Sequence, residues 1–248
     1  MSHRRIIIGD VHGHYDALMH LLEAIAPGKD DQVYFLGDLI DRGPQSAQVV
    51  EFVINSGYHC LRGNHEDILI AVVESGQQVA PDLFKAWLYS GGNATLASYG
   101  KNIIQNHIEW MKTLPTYLDL GDIWLVHAGL NPNLPLRKQT SEQFCWIRDE
   151  FHSMTRPYFV DKLIITGHTI TFTLPGVTPG NLAYGAGWLD IDTGAYHRKS
   201  GWLTGLDVTH NQVYQFNAKF RNSRKIPLEK AIAPVKPALV LSKRLSMR

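Results

Sequence analysis

The chain has 248 residues, of which 44% are hydrophobic and 19% charged, and its net charge is +1. This composition is typical of a soluble globular protein with ample material for a core. Two cysteines, Cys60 and Cys145, exclude a disulfide framework and a Cys-x-x-Cys metal site. No apolar run approaches the ~18 residues of a membrane span, and the run at residues 6–8 is too short for a signal peptide. We therefore expect a cytoplasmic protein.

Charge is distributed unevenly along the chain. Residues 221–248 contain eight Lys or Arg and one acid, Glu229, so they carry about +7 and the rest about −6. Three prolines, Pro227, Pro234 and Pro237, interrupt this segment. We expect a basic, partly ordered carboxyl-terminal extension.

The first 66 residues contain three similar units. Apolar runs at residues 5–8, 32–36 and 58–61 predict buried strands, and each is followed by a polar, glycine-containing loop. Apolar positions from Leu18 to Ile25 predict a helix after the first loop. A second helix is predicted from Ser46, as its cap, to Asn55, with Gly57 as its stop. This pattern is typical of a βαβαβ unit.

The remaining chain returns to strands after a helical stretch. Residues 67–115 look helical, interrupted at Gly91-Gly92, and we interpret them as an insertion beside the site. A further helix is predicted near residues 141–151. Strands are predicted at residues 116–120, 123–126, 163–166, 188–192, 202–208 and 212–216.

Five of the predicted strands end in groups that bind metals or phosphate. These groups are Asp10 with His12, Asp38 with Asp41 and Arg42, Asn64 with His65, His127, and His168. In an α/β sheet, ligands collect at the carboxyl ends of strands. Two neighbouring carboxylates repel each other unless a cation or a proton lies between them. Carboxylate, imidazole and amide donors together suit Mn, Fe or Zn, and the set predicts a two-metal site with ions ~3.5–4 Å apart.

The motifs Gly-Asp-x-His-Gly (residues 9–13), Gly-Asp-x-x-Asp-Arg-Gly (37–43) and Gly-Asn-His-Glu (63–66) follow one another at similar spacings. With the later His-Ala-Gly and Gly-His-Thr, they resemble the phosphoprotein phosphatase family of metallophosphoesterases over residues 5–216. The resemblance is greatest to compact bacterial and phage serine/threonine phosphatases and the related symmetrical diadenosine tetraphosphatases. It implies an α/β fold (α+β by some schemes), a two-sheet β-sandwich flanked by helices. It also implies one catalytic domain over residues 1–220, with residues 67–115 as a helical insertion.

The resemblance also implies roles for individual residues. Two divalent ions, Mn in the first place with Fe, Zn or Ni as alternatives, would be held by Asp10, His12, Asp38, Asn64, His127 and His168, with Asp38 shared. His65 would be the general acid, oriented by Asp41. Arg42, Arg148 and Asn64 would bind the phosphoryl group of the substrate.

These roles predict phosphomonoester hydrolysis by in-line attack of a metal-bridging hydroxide. The expected partner is a phosphoprotein or phosphopeptide substrate. Phosphoserine and phosphothreonine are expected in preference to phosphotyrosine. Neither a nucleic acid nor a membrane is expected as a partner. One alternative is symmetrical diadenosine tetraphosphate hydrolysis, although in that group the position of Asp41 is usually not an acid and an Asp commonly replaces Glu66. Another alternative is a catalytically inactive binding module that keeps its metals for a structural role. The intact His65 and Asp41 disfavour it.

Individually, several of these residues have simpler interpretations. Asp10 or Asp38 alone is equally consistent with a helix cap. His127 and His168 could be satisfied core histidines, and Arg148 a surface residue paired with a neighbouring acid. Glu66 is expected to be a structural partner of nearby backbone or arginine groups.

Overall fold

Two six-stranded sheets form the centre of the structure, a computed structural model that describes residues 3–75, 81–100 and 103–246. In chain order the strands are β1 (Arg5–Ile8), β2 (Gln32–Phe35), β3 (His59–Cys60), β4 (Tyr117–Asp119), β5 (Ile123–Val126), β6 (Leu163–Thr166), β7 (Leu182–Gly185), β8 (Trp188–Asp190), β9 (Trp202–Asp207), β10 (Gln212–Asn217), β11 (Asn222–Pro227) and β12 (Ile232–Pro234). The first sheet has the order β11-β10-β9-β1-β2-β3 and the second β12-β7-β8-β6-β5-β4.

The helices flank this pair of sheets. They are α1 (Tyr15–Ile25), α2 (Ser46–Ser56), α3 (Asn64–Glu74), α4 (Pro81–Trp87), α5 (Asn93–Tyr99), α6 (Gln105–Thr113), α7 (Ser141–Trp146), α8 (Asp149–His152), α9 (Leu228–Ala231) and α10 (Pro237–Ser246). The expected two-sheet α/β architecture with flanking helices is thereby confirmed. Within the described ranges, no helix has the length and apolar character needed to cross a membrane.

Side chains from both sheets meet in the layer between them. Ile7 and Tyr34 of the first sheet pack in one buried cluster with Leu125, Ile165 and Leu189 of the second. Strands β1, β2 and β3 are mutually parallel, as are β5, β6 and β8. Within each set the carboxyl ends therefore share one edge of the sheet, where the predicted polar loops emerge.

Several local expectations differ from the structure. The helix predicted near residues 141–151 is divided into α7 and α8, because Ile147 and Arg148 leave the helical conformation. Ser46 does not cap α2: Gln45 precedes the helix, and Ser46 Oγ instead accepts the Asp41 N–H at 3.1 Å. Gly91 interrupts the helical stretch as expected, with φ of 114° in a wide turn between α4 and α5. Residues 76–80 and 101–102 of the insertion lie outside the described residues.

The basic segment contributes to both sheets. Strand β11 pairs antiparallel with β10 at the edge of the first sheet, and β12 pairs parallel with β7 at the edge of the second. The boundary expected at residue 220 therefore falls in the turn between β10 and β11, and ordered strands continue beyond it.

Candidate metal centre

The predicted site residues converge at the edge where the parallel strands end. Asp10 and His12 follow β1, and Asp38 and Asp41 follow β2. His127 follows β5 and His168 follows β6. Asn64 and His65 begin α3, shortly after β3 ends. The structure thus brings all five strand-end groups together.

Unusual backbone conformations hold these loops. His12, Asp38 and His168 have positive φ values of 47°, 50° and 68°, a region that non-glycine residues adopt at a cost of about 1–3 kcal/mol. Glycines allow the close approach of the loops. A Cβ on Gly63 would collide with Asp38 Oδ1, and a Cβ on Gly167 would collide with Asp10 Oδ1.

Asp38 lies at the centre of the cluster. Its Oδ1 is 3.4 Å from His127 Nε2, and its Oδ2 is 3.6 Å from His12 Nε2. Two groups with metal-ligand spacing share it: His12, Asp38 and His65, and Asp38, His127 and His168, with donor atoms within 4.8 Å of one another in each. A carboxylate with a different group at each oxygen has the geometry to bridge two ions.

The Asn64 side chain completes the second group. Its Oδ1 lies 3.0 Å from His127 Nε2 and 2.7 Å from His168 Nδ1. Ligand atoms at neighbouring positions about 2.1 Å from an ion are about 3 Å apart. These three donors are therefore spaced as ligands of one ion.

Asp10 is buried beside His168, whose backbone N–H donates to both carboxylate oxygens at 3.2 and 3.0 Å. Burial, and then the charges of Asp192 and Asp38, raise the pKa of Asp10 well above its usual value. Asp190 and Asp192 are buried nearby, and Asp192 Oδ2 has no hydrogen-bond partner in the described structure. Such a concentration of buried acids fits a bound cation.

The histidines have the protonation state that metal ligands need. Burial lowers the pKa of His12 and of His168 well below the usual value, so both imidazoles are neutral and offer a lone pair. Burial by itself raises the pKa of Asp38, and the positive charge that the surrounding histidines can carry, His127 first among them, lowers it below its usual value. The residues present therefore fit two divalent cations.

His65 and Asp41 form a hydrogen-bonded pair beside this cluster. His65 Nδ1 is 2.6 Å from Asp41 Oδ2, and both residues are fully buried. Burial lowers the pKa of His65, but the charge of Asp38 and the hydrogen bond to Asp41 together raise it above the usual value. The shift favours the protonated imidazole, and Nε2 is directed toward the centre, 3.9 Å from Asp38 Oδ2.

Two residues of the helical insertion orient Asp41. Trp87 Nε1 donates to both carboxylate oxygens at 3.1 Å, and Thr95 Oγ1 donates to Oδ1 at 2.6 Å. Sequence reasoning missed both, since neither belongs to a motif. The insertion therefore contacts the site directly, through hydrogen bonds to Asp41.

The two arginines lie beside different histidines. Arg42 Nη1 donates to His12 Nε2 at 2.7 Å. Arg148 Nη1 donates to the His168 carbonyl at 3.1 Å and to Thr169 Oγ1 at 3.0 Å. Each guanidinium group thus adjoins a histidine of the cluster, and guanidinium groups are well suited to bind an oxyanion.

Glu66 has the structural role that the sequence predicts. Its carboxylate accepts the backbone N–H groups of Asp38, Leu39 and Gly63 at 2.8–2.9 Å. It thereby joins the start of α3 to the loop after β2 and fixes the backbone of Asp38.

The model of the calcineurin-like phosphoesterase family matches residues 3–219, and the chain belongs to this family. Among curated relatives, it is 24% identical to a symmetrical bis(5'-nucleosyl)-tetraphosphatase of Vibrio campbellii, over 91% of this chain and 81% of that protein. It is 32% identical to the enzyme of the same name from Buchnera aphidicola, over 50% of this chain and 43% of that protein. Several other such matches span less than half of the relative's length.

Solved structures show the same fold at low identity. A putative diadenosine tetraphosphatase matches 92% of this chain and 94% of its own, with a TM-score of 0.63 and 20% identity. A serine/threonine phosphatase from Saccharomyces cerevisiae matches 91% of this chain and 80% of its own, with a TM-score of 0.58 and 15% identity. The resemblance to metallophosphoesterases noted in the sequence is confirmed.

Proposed function

We propose that this protein is a two-metal phosphohydrolase that cleaves symmetrical dinucleoside tetraphosphates. The alignment with the Vibrio tetraphosphatase over 91% of the chain carries the choice of substrate. It favours the alternative over the phosphoprotein substrate that the motifs at Asp41 and Glu66 suggest. The Asp38-centred cluster supports the hydrolytic chemistry.

Asp10, His12 and Asp38 would hold one divalent ion, and Asp38, Asn64, His127 and His168 the other. The donor set suits Mn first, with Fe, Zn or Ni as alternatives. When bound, the two ions supply a nucleophile from water at neutral pH and neutralise phosphoryl charge.

The surrounding side chains would orient the substrate and move one proton. Arg42 and Arg148 bind phosphoryl oxygens and stabilise the charge that develops on them. His65 donates the proton on Nε2 to the departing oxygen, while Asp41 holds the imidazole through Nδ1. Cleavage in the middle of a tetraphosphate bridge releases two nucleoside diphosphates.

The short contact between His65 and Asp41 favours a second candidate substrate. An alkoxide leaving group needs a proton more than a nucleoside diphosphate does, and a buried, protonated imidazole supplies it. A phosphomonoester on serine, threonine or tyrosine therefore remains the competing proposal. The same intact pair argues against a silent binding module.

The deciding experiment compares kcat/KM for diadenosine tetraphosphate with that for phosphoserine, phosphothreonine and phosphotyrosine peptides. Metal-stripped protein is reloaded with Mn²⁺, and the products are separated by chromatography. We expect the dinucleotide to be preferred and ADP to be its nucleotide product. Preference for any of the peptides would overturn the proposed substrate, and inactivity on all four would overturn the proposed chemistry.

A further inference from the structure

The loop between β8 and β9 carries an aromatic side chain into the edge of the metal centre. The Arg42 guanidinium carbon lies 4.1 Å from the centre of the Tyr196 ring. The His12 ring meets Tyr196 edge to face at 4.9 Å. Tyr196 thus contacts one residue of the proposed metal set and one of the proposed phosphate-binding residues.

A cavity of about 490 Å³ opens beside this tyrosine, lined by Tyr196, His197, Arg198 and Lys199. Its volume is in the range of small-molecule sites and exceeds what one phosphate occupies. His197 forms one wall, because its ring packs edge to face on Phe172 at 4.8 Å and its Nδ1 accepts the Lys199 N–H at 3.1 Å. These two contacts orient the His197 ring at the wall.

Arg198 and Lys199 place two unpaired cations at this cavity. Both are exposed, and neither forms a salt bridge within the ranges that the structure describes. Burial lowers the pKa of His197, and the positive charges of Lys199 and Arg42 lower it further. Lys199 and Arg42 therefore both lie near this imidazole. Positive charge is thus present both at Arg42, beside the metal centre, and at the exposed Arg198 and Lys199 of the cavity.

We propose that Tyr196, Arg198 and Lys199 form a binding subsite for the phosphates of the substrate that lie beyond the one under attack. The ligand class is a linear polyphosphate chain, as in a nucleoside polyphosphate. The inference rests on the proposed function and deepens it, because it names the residues that distinguish a polyphosphate from a simple phosphomonoester. Arg42, between the two sites, contacts the phosphate at their junction.

The test compares two double variants. In R198A/K199A the two cavity cations are removed. The matched control is R137A/K138A, which removes an exposed Arg-Lys pair from the helical turn Leu136–Lys138. Both variants lose the same net charge, so any effect of the overall charge on substrate attraction is equal in the two.

Each protein is assayed with Mn²⁺ for kcat/KM on diadenosine tetraphosphate and on p-nitrophenyl phosphate. Competitive inhibition constants are measured for inorganic tripolyphosphate and for orthophosphate, with p-nitrophenyl phosphate as the substrate. In R198A/K199A we expect roughly tenfold losses in kcat/KM for the dinucleotide and in affinity for tripolyphosphate, as two phosphate contacts of modest strength imply. Turnover of p-nitrophenyl phosphate and inhibition by orthophosphate should change less than about twofold, and R137A/K138A should match the parent.

An unchanged inhibition constant for tripolyphosphate in R198A/K199A would overturn the subsite, and so would an equal change in R137A/K138A. If no protein hydrolyses the dinucleotide while R198A/K199A still loses affinity for tripolyphosphate, the proposed function fails and the subsite stands. The two failures are thus distinguishable.

Discussion

His65 contacts two carboxylates with different proposed roles, since Nδ1 bonds to Asp41 and Nε2 faces Asp38. If His65 is the general acid, His65→Asn should lower kcat by roughly 10²–10⁴ while the metal content is preserved. The loss should be larger for an alkyl phosphomonoester than for a dinucleoside tetraphosphate, whose leaving group needs less protonation. Steady-state kinetics and elemental analysis of the same sample measure both. Loss of metal in this variant would instead make His65 a ligand.

Asp38 is the residue on which metal retention should depend most. Asp38→Asn removes the charge and one oxygen donor from the position shared by the two ligand groups. We expect the variant to bind fewer than two ions per chain and to lose activity at ordinary Mn²⁺ concentrations. Elemental analysis after gel filtration checks this, and full occupancy of both sites would refute the shared position.

His152 and Asp190 form a fully buried pair that sequence reasoning missed. His152 Nδ1–H donates to the Arg148 carbonyl at 2.9 Å, and His152 Nε2 lies 3.2 Å from Asp190 Oδ2. Burial raises the pKa of Asp190 well above its usual value and lowers that of His152 to about 4. His152 is therefore neutral at pH 7. Because its Nδ1–H is used by the Arg148 carbonyl, Nε2 has only a lone pair, and the proton of the contact with Oδ2 belongs to Asp190.

A neutral replacement at position 190 should consequently be tolerated. Asp190→Asn keeps a donor for His152 and an acceptor for the Asp192 N–H, so its free energy of unfolding should equal or exceed that of the parent. Asp190→Ala leaves both groups unpaired and should cost about 1–3 kcal/mol for each. Urea unfolding of the two variants gives the comparison. A larger loss in the asparagine variant than in the alanine variant would show that Asp190 is ionised.

At the scale of elements, the helical insertion joins the site through Trp87 at the end of α4. Trp87→Phe keeps the ring but removes the donor to the buried Asp41 carboxylate, which should lower the free energy of unfolding by about 1.5–3 kcal/mol. Trp110→Phe in α6 is the matched control, because its indole N–H has no hydrogen bond among the described residues. Denaturant unfolding of the metal-loaded proteins measures the difference. Equal effects would mean that the hydrogen bond to Asp41 contributes nothing.

The elements that the sequence predicts well are those with a strong local signal. Strands β1, β5 and β6 match their predicted ranges, because each is a short, almost wholly apolar run in a buried parallel pair. Strand β11 was missed, because Asn222 to Pro227 is polar and largely exposed at a sheet edge. No local pattern distinguishes such a strand from a solvated extension.

The residues of the site also divide into those with a local sequence signal and those without one. Motifs locate Asp10, Asp38 and His168, because the loop glycines and the proposed metal ligands are adjacent in sequence. Trp87 and Tyr196 reach the site only through tertiary packing, so spacing along the chain carries no sign of them. Sequence thus predicts the residues proposed to hold metal and misses Trp87 and Tyr196, which contact the site from other elements.

At the scale of the whole molecule, the basic segment should be required for stability. Removing residues 221–248 deletes β11 and β12, exposes an edge of each sheet, and removes the buried Ala231, Val235 and Val240. We expect the unfolding temperature to fall by roughly 10 °C or more. Removing only residues 237–248 should cost less, since both sheets keep their edge strands. Thermal unfolding by circular dichroism compares the two, and an unchanged temperature in the longer deletion would place the segment outside the folded unit.

The proposed ligands come from both sheets: Asp38 follows a strand of the first, while His127 and His168 follow strands of the second. An ion held by all three is a cross-link across the sandwich, comparable to a disulfide, that closes loops of roughly 90 and 130 residues. Because the unfolded chain cannot assemble these donors, the free energy of unfolding should increase with the logarithm of free Mn²⁺, by about 1.4 kcal/mol per decade for each ion bound. Scarcity of metal would then shorten the lifetime of the protein as well as slow its chemistry.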